Sequence, residues 1–460
     1  MELEKLAELN PWWKGKERIA EDENLIQLAS KKYQWRPWLL DIDWKIGNVY
    51  SIRGPRQLGK TTTLKLIVKK LLFEQNKPPA SVLYWSCEDI GTHSELVDLI
   101  QSYLTVVKPY NYSEHIILLD EITFVKEWSR AIKLLADRGY LKNVALIMTG
   151  SSTVDLKYGM DRLPGRTGQE GKDSILLPLT FKEFVNLVRP ELGLPKMTLT
   201  NFDVEQLRIF DRELKDLFQI YLICGGFPLT INTFMEKRTI EPWLYDLYLR
   251  WVIGDLIKTG RQEKMAVQIL RALLERQCGL VSWDGVAKEV EIRSHKTISG
   301  YVETLEELFV LSVSYFYDTE KSDVNFAKNK KIHFIDPFIT NAICRLVRKS
   351  SNEACVVEDI IAANISAFLL RDLLPFGTPN PVHYSLQKKE TDIVFIFKGE
   401  TYGVEVKYQK NIGKEDWFSL SEFERGFLVT RNYYEVRREK RTHVALPVHA
   451  FLMLSDPNTY

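Results

Sequence analysis

The sequence predicts an α/β chain: a parallel sheet with helices, then a helical segment, a helix-turn-helix with a β wing, and a terminal α/β domain. Three observations carry that class. Between residues 48 and 185, continuous apolar runs (VYSI, SVLYWS, IILLD, VALIMTG) alternate with amphipathic stretches, the pattern of buried parallel strands and crossover helices. The first run leads into a glycine-containing loop and a helix over residues 62–72. Near the other end, two strand-like segments, residues 390–397 and 401–408, are separated only by Lys398, Gly399 and Glu400, so they should form a hairpin.

Composition bounds the function. The 460 residues include 62 Lys plus Arg and 61 Asp plus Glu, a formal charge of +1, with 45% apolar and 27% charged residues. These values exclude a disordered, collagen-like or membrane-spanning chain, and the length suits about three domains. Near-neutrality excludes a uniformly basic protein, so a nucleic acid would have to be met by local patches. Cys87, Cys224, Cys278, Cys344 and Cys355 are scattered and form no CxxC pair, which argues against a disulfide framework and a zinc ribbon. The N-terminus is mixed in charge, and no run of about 18 apolar residues occurs. The expected setting is therefore the cytoplasm, with no membrane partner. The expected organisation is a Trp-rich arm (1–45), an α/β domain (46–190), a helical segment (191–260), a helix-turn-helix domain (261–350) and a terminal α/β domain (351–460).

Gly54, Pro55, Arg56, Gln57, Leu58, Gly59, Lys60 and Thr61 fit GxxxxGK[ST], between a short apolar strand and an amphipathic helix that continues with Thr62. Backbone amides of such a loop curl round phosphate oxygens, and the helix N-terminus adds a favourable dipole. Lys60 would reach the β and γ phosphates of ATP, and Thr61 would ligate Mg²⁺. Ile116 to Leu119 end in Asp120 and Glu121, at the strand end where such sheets bind ligands. Asp120 would hold Mg²⁺, and Glu121 would orient and activate the attacking water. A polar residue at the tip of the 144–148 strand, among Thr149, Gly150, Ser151 and Ser152, would touch the γ phosphate or the water, or form a plain turn. Arg162 and Arg166 are the candidates for a cation that stabilises the transition state, in cis or in trans.

NPWW, GPRQLGKTT, IILLDEI, TGSS, LPGR, LPLTFKEF and GGFP follow one another in this order. In this the chain resembles prokaryotic, archaeal or bacterial, AAA-type P-loop ATPases with an additional C-terminal region. The resemblance implies an AAA-like sheet with the phosphate-loop strand central, a helical lid, and a GGFP element (Gly225, Gly226, Phe227, Pro228) near the adenine.

Residues 269–277, 283–290 (after Ser282, a good N-cap) and 295–308 form three helical patterns, the last two joined by a short turn. This is a helix-turn-helix pattern, with Lys328, Lys330 and Lys331 on a β wing. Arg293, His295 and Lys296 would contact DNA; a protein-interaction role is the alternative, because the third helix carries Glu303, Glu306 and Glu307.

In the hairpin, Glu405 and Lys407 project from one face. A two-residue turn at Lys398 and Gly399 pairs Phe397 with Glu400, which sets Asp392 opposite Glu405 and Glu390 opposite Lys407. Opposed carboxylates repel, and a second divalent cation between them would relieve this. Lys407 would then orient the metal-bound water or take its proton. A three-residue loop would shift the register by one and turn Asp392 and Glu405 to opposite faces. The spacing resembles the PD-(D/E)xK nuclease superfamily, with Glu358 as the helical acid, Asp392, Glu405 and Lys407 as the strand residues, and Gln409 as a peripheral polar residue. Thr391 stands where that motif has Pro. Finally, Arg425, Arg431, Arg437, Arg438, Lys440 and Arg441 lie near Tyr433 and Tyr434, with only Glu435 and Glu439 against them, a pattern that fits phosphate contact and base stacking. Two readings follow: an ATP-driven enzyme acting on DNA with metal-dependent cleavage, or a nucleotide-gated DNA- or protein-binding switch with an inactive nuclease-like fold. A homo-oligomer or a protein partner stays open.

Overall fold

The computed structural model describes residues 3–150, 153–169, 173–292, 294–371, 380–387, 389–438 and 441–454. The chain divides into two compact units, residues 1–177 and 178–460.

The first unit is built on five parallel strands: β1 (Val49–Arg53), β2 (Val82–Ser86), β3 (His115–Asp120), β4 (Val144–Thr149) and β5 (Asp173–Ile175). Their order is β2-β3-β4-β1-β5, so β1 is an interior strand between β4 and β5. Every residue of β1 and β4 is buried, which is why these strands read as unbroken apolar runs. The short β5 was not expected from the sequence. Its anchor is polar: Asp173 accepts from Ser51 Oγ at 2.5 Å and from Arg53 Nε at 2.6 Å. The helices are α1 (Leu3–Leu9), α2 (Glu23–Ala29), α3 (Lys60–Phe73), α4 (His93–Val107), α5 (Trp128–Asp137) and α6 (Thr153–Asp161). A capping box of Thr92 and Glu95 starts α4.

The Trp-rich arm packs onto the exposed edge of the sheet. Trp12 and Trp13 donate their indole N–H to Val82 O at 3.1 and 2.9 Å. Asn10 mimics a strand: its Nδ2 donates to Tyr84 O at 3.0 Å and its Oδ1 accepts Tyr84 N at 2.7 Å. The unpaired side of β2 is thus covered, which removes an aggregation-prone edge.

The second unit holds helices α7 (Phe181–Val188), α8 (Val204–Ile209), α9 (Asp211–Cys224), α10 (Pro228–Lys237), α11 (Pro242–Lys258), α12 (Glu263–Leu274), α13 (Trp283–Glu289), α14 (His295–Glu307), α15 (Pro337–Val347), α16 (Glu353–Arg371) and α17 (Val448–Phe451). Its strands are β6 (Leu311–Ser314), β7 (Phe316–Asp318), β8 (Asp323–Asn325), β9 (Lys331–Phe334), β10 (His383–Leu386), β11 (Glu390–Phe397), β12 (Glu400–Lys407), β13 (Arg425–Thr430), β14 (Glu435–Arg438) and β15 (Thr442–Pro447). Helices α12 to α14 lead into the antiparallel pair β6–β9, with Ser282 capping α13 through Gly285 N at 3.1 Å. The hairpin β7–β8 joins the eight-stranded mixed sheet β14-β15-β13-β12-β11-β10-β7-β8. The boundary expected at residue 350 therefore falls inside one compact unit, because strands from both sides of it share a sheet.

The β11–β12 hairpin has the two-residue turn, with Phe397 opposite Glu400. Lys398 takes φ 51° and Gly399 φ 79°, so a lysine accepts the left-handed conformation that this turn demands. Gly225 (φ 63°) ends α9, and a Cβ there would lie 2.1 Å from Asp336 Oδ1. Asp336 accepts from Gly226 N at 2.7 Å and Phe338 N at 2.8 Å, so one carboxylate holds the GGFP turn and caps α15. Burial pushes that carboxyl up to about 7 against the pull of these amides. Contrary to the cysteine spacing, Cys278 and Cys355 are joined by a disulfide, their Cα atoms 5.3 Å apart. A separation of 77 residues leaves no local signal for such a pair. Among the described residues no single helix is long and apolar enough to cross a membrane.

Candidate functional site

The phosphate loop turns tightly out of β1. Gly54 must be glycine, since a Cβ would meet Leu176 O at 2.1 Å. Pro55 follows it, Leu58 is buried and anchors the loop, and Arg56 and Gln57 lie toward solvent. Gly59, at φ 83°, precedes Lys60, the first residue of α3, with Thr61 and Thr62 in its first turn. Lys60 is buried, and its Nζ donates to Gly54 O and Pro55 O at 3.0 Å each, so it braces the loop from inside.

Asp120 ends β3 and is buried. Its Oδ2 accepts from Tyr84 OH at 3.0 Å, and its Oδ1 accepts from Thr149 Oγ1. Thr149, one of the four residues offered at this strand tip, is fully buried and donates to Asp120, because the parallel register brings the ends of β3 and β4 together. Ser151 and Ser152 lie outside the described residues. Glu121 follows at φ 53°, which turns its half-exposed side chain out of the strand direction, and its amide donates to Thr149 Oγ1 at 3.4 Å. A non-glycine residue there costs conformational energy, a feature common at functional sites. The Thr61 hydroxyl and the Asp120 carboxylate, at the same edge of the sheet, are oxygen groups of the kind Mg²⁺ takes. Arg166 is engaged elsewhere: it donates to Asp137 at 2.7 Å and to Pro164 O at 3.1 Å, fastening the loop after α6 to the end of α5. Arg162 is exposed.

In the second unit, α16 packs against β9, β11 and β12 and brings Glu358 to the strand acids. The structure gathers Glu358, Glu390, Asp392, Glu405 and Lys407, but it adds Lys331 from β9. Lys331 is 1% exposed, and its Nζ lies 2.9 Å from Glu358, 2.8 Å from Glu390 and 2.9 Å from Asp392. Lys331, expected on the β wing, instead points inward and is the counterion of the cluster. The expected metal ligands Glu358, Asp392 and Glu405 thus meet protein donors at their oxygens. Asp392 Oδ2 accepts Val406 N at 2.9 Å, Glu405 Oε2 accepts Ser419 Oγ at 2.7 Å, and Glu405 Oε1 accepts Lys407 Nζ. The acids are satisfied by protein donors, and Lys407 is spent on Glu405. Among the described residues no three His, Cys, Asp or Glu side chains are arranged to hold a metal ion. Burial pushes Glu358 up to about 7 despite Lys331, and burial with the Asp392 charge does the same to Glu405. Burial alone would raise Asp392, but Lys331 and Lys407 together hold it below its usual range. Burial also pulls Lys331 down, and the three acids outweigh it, leaving the ammonium firmly charged.

Of the other expected contacts, His295 and Lys296 are exposed at the start of α14, while Arg293 lies outside the described residues. Lys328 is exposed, and Lys330 sits 5.6 Å from the Trp283 ring centre. Gln409 donates to Asp416 at 3.2 Å. The basic segment is largely paired: Arg425 with Glu400 at 2.6 Å, Arg437 with Glu435 at 2.8 Å and Arg441 with Glu424 at 3.9 Å. Arg431 lies over Tyr408, and Arg438 is exposed. Tyr434 donates to Asp211 and Tyr433 to Glu435, so both phenols are tied to acids. Lys440 and Glu439 lie outside the described residues.

Tyr84, Ser419 and the role of Lys331 were not expected from the sequence. For Lys331 a signal existed. In KIHF all four residues are buried, so a lysine and a histidine alternate with apolar residues on a strand that has no solvent face.

Residues 47–185 match the family described as AAA domain, and residues 215–350 match a domain family of unknown function. No curated protein sequence matches the chain. Among solved structures, the chain is similar to the Walker-type ATPase of Pyrococcus abyssi, at 14% identity and a TM-score of 0.41, over 64% of this chain and 90% of that one. The Aeropyrum pernix ORC2 protein in its ADP form follows at 12% identity and a TM-score of 0.35, over 74% and 93%. Residues 47–185 thus form an AAA-type P-loop domain, on the strength of the family match and the site geometry.

Proposed function

We propose that the chain is an ATPase that works as a nucleotide-gated switch on DNA, with a nuclease-like C-terminal module held inert by Lys331. The observation that carries the ATPase reading is the pairing of the Lys60–Thr61 loop end with Asp120 and Glu121 at the same edge of one parallel sheet. In this reading Lys60 and the loop amides hold the β and γ phosphates. Thr61 and Asp120 hold Mg²⁺, which when bound neutralises phosphate charge. Glu121 would orient a water and take its proton as the water oxygen bonds to the γ phosphorus and the bond to the bridging oxygen breaks, with ADP leaving and its charge held by Lys60 and Mg²⁺. The exposed His295 and Lys296 at the start of α14 favour DNA as the partner, in the helix-turn-helix manner.

The inert reading is favoured over metal-dependent cleavage by the buried ammonium of Lys331 among Glu358, Glu390 and Asp392. A cation fixed there competes directly with a divalent ion for the same oxygens. The test incubates plasmid and branched DNA with ATP and either Mg²⁺ or Mn²⁺. The expected result is ATP turnover, lost in Lys60→Ala, with no DNA cleavage. Cleavage by the wild type that disappears in Asp392→Ala would refute the inert reading.

A further inference from the structure

The N-terminal arm and the acid of the nucleotide site meet at one side chain, Tyr84. Its hydroxyl donates to Asp120 Oδ2 at 3.0 Å, and the side chain is 5% exposed. Above its ring, at 3.3 Å from the ring centre, sits Lys65 Nζ on the helix that starts at Lys60. Lys65 is itself buried and paired with Asp22 at 3.0 Å. Asp22 belongs to the arm, where it also caps α2 by accepting Asn24 N at 3.0 Å. The backbone of Tyr84 is fixed from the same arm, by the two hydrogen bonds to Asn10.

Each contact has a physical consequence. An ammonium over the face of a phenol is attracted by the ring quadrupole and draws electron density from it, which strengthens the O–H as a donor. A carboxylate with one oxygen fixed by Tyr84 and the other by Thr149 cannot rotate, and it presents its remaining lone pairs in one direction. Partners of this kind behind a metal ligand typically control metal affinity by a factor of about 10 to 100.

We propose that Tyr84 is a positioning residue for the Mg²⁺ that accompanies ATP, and that the arm sets Tyr84 through Asn10 and the Asp22–Lys65 pair. The arm is then a working part of the nucleotide site, so loosening it detunes metal binding at a distance. This rests on the ATPase reading above.

The test measures Mn²⁺ affinity by electron paramagnetic resonance on the full chain with adenylyl-imidodiphosphate present. Nucleotide affinity without metal is measured in parallel, along with the metal dependence of ATP turnover. Tyr84→Phe keeps the ring and the cation above it and removes only the hydroxyl. It should weaken Mn²⁺ binding by about tenfold or more and leave metal-free nucleotide affinity within about twofold. Asp22→Asn, which leaves Tyr84 in place, should shift Mn²⁺ affinity in the same direction by a smaller factor. It also provides the test if Tyr84→Phe folds poorly. A merely structural role would lower the melting temperature and leave the Mn²⁺ affinity of the folded protein unchanged, and that result in both variants would overturn the proposal. A wild type that binds no nucleotide would instead overturn the ATPase reading, and this proposal with it.

Discussion

Replacing Lys331 by Met isolates the contribution of the buried ammonium. Methionine nearly matches the lysine stem in volume, so packing is kept and little cavity forms. What is lost is the counterion of three carboxylates, of which Glu358 and Asp392 are the more buried. Removing one partner of a buried ion pair costs about 3–5 kcal/mol. That is a large share of the roughly 5–15 kcal/mol of a typical domain. The loss must depend on pH, since the orphaned acids can take up protons and Glu358 already sits at about 7. At pH 8 the full 3–5 kcal/mol is expected, and at pH 5 less than half of it. Adding Glu358→Gln and Asp392→Asn to the methionine variant should recover most of the loss, because no buried charge is then left alone. Hydrogen exchange of α16 and β11 amides along a urea series reads the second unit separately from the first. A methionine variant within about 1 kcal/mol of wild type at pH 8, or an equal loss at pH 5 and pH 8, would refute the reasoning.

Other consequences are as direct. Glu358 and Glu405 have folded-state values near 7, above their ordinary 4.5, so the stability they contribute is complete below pH 4.5 and is lost as pH climbs through 7. Thermal melts of the wild type should therefore show the second unit falling in stability between pH 5 and 8; a rise over that range would contradict the burial of these acids. Reducing the Cys278–Cys355 bond should cost about 2–4 kcal/mol for a loop of this size, and thiol titration of the unfolded, unreduced chain should find three free thiols, not five. Gly225→Ala should destabilise by more than about 1 kcal/mol, measured by urea melt, since alanine would need a left-handed φ and would collide with Asp336; a neutral result would contradict the observed turn.

The parts legible in sequence share a physical reason. Strands β1 to β4 are continuous apolar runs because helices cover a parallel sheet, and the phosphate loop is legible because its glycines answer local backbone demands. The β11–β12 register is that of the two-residue turn at Lys398 and Gly399, one of the two loops the sequence allows. What was not legible depends on distant partners. Three-residue β5 is fixed by side-chain bonds from Asp173 to Ser51 and Arg53, and Cys278 meets Cys355 across 77 residues. Lys331 was read as a surface wing because lysine clusters usually face water. In the fold its strand lies against α16, and the ammonium becomes the neutralising charge of acids that the sequence alone suggested were waiting for a metal. Of the basic residues near Tyr433, Arg425 pairs with Glu400 on the neighbouring strand and Arg441 with Glu424, partners that sequence distance hides, while Arg437 pairs with Glu435 on its own strand.

The central claim is ATP hydrolysis at Lys60, Asp120 and Glu121. Its most direct test is phosphate release with Mg²⁺ and ATP, together with nucleotide affinity, for the wild type, Lys60→Ala and Glu121→Gln. The account predicts turnover by the wild type, loss of nucleotide binding in Lys60→Ala, and retained binding with turnover cut by about 100-fold or more in Glu121→Gln. A wild type that binds no ATP, or a Glu121→Gln variant that hydrolyses it at the wild-type rate, would contradict the account.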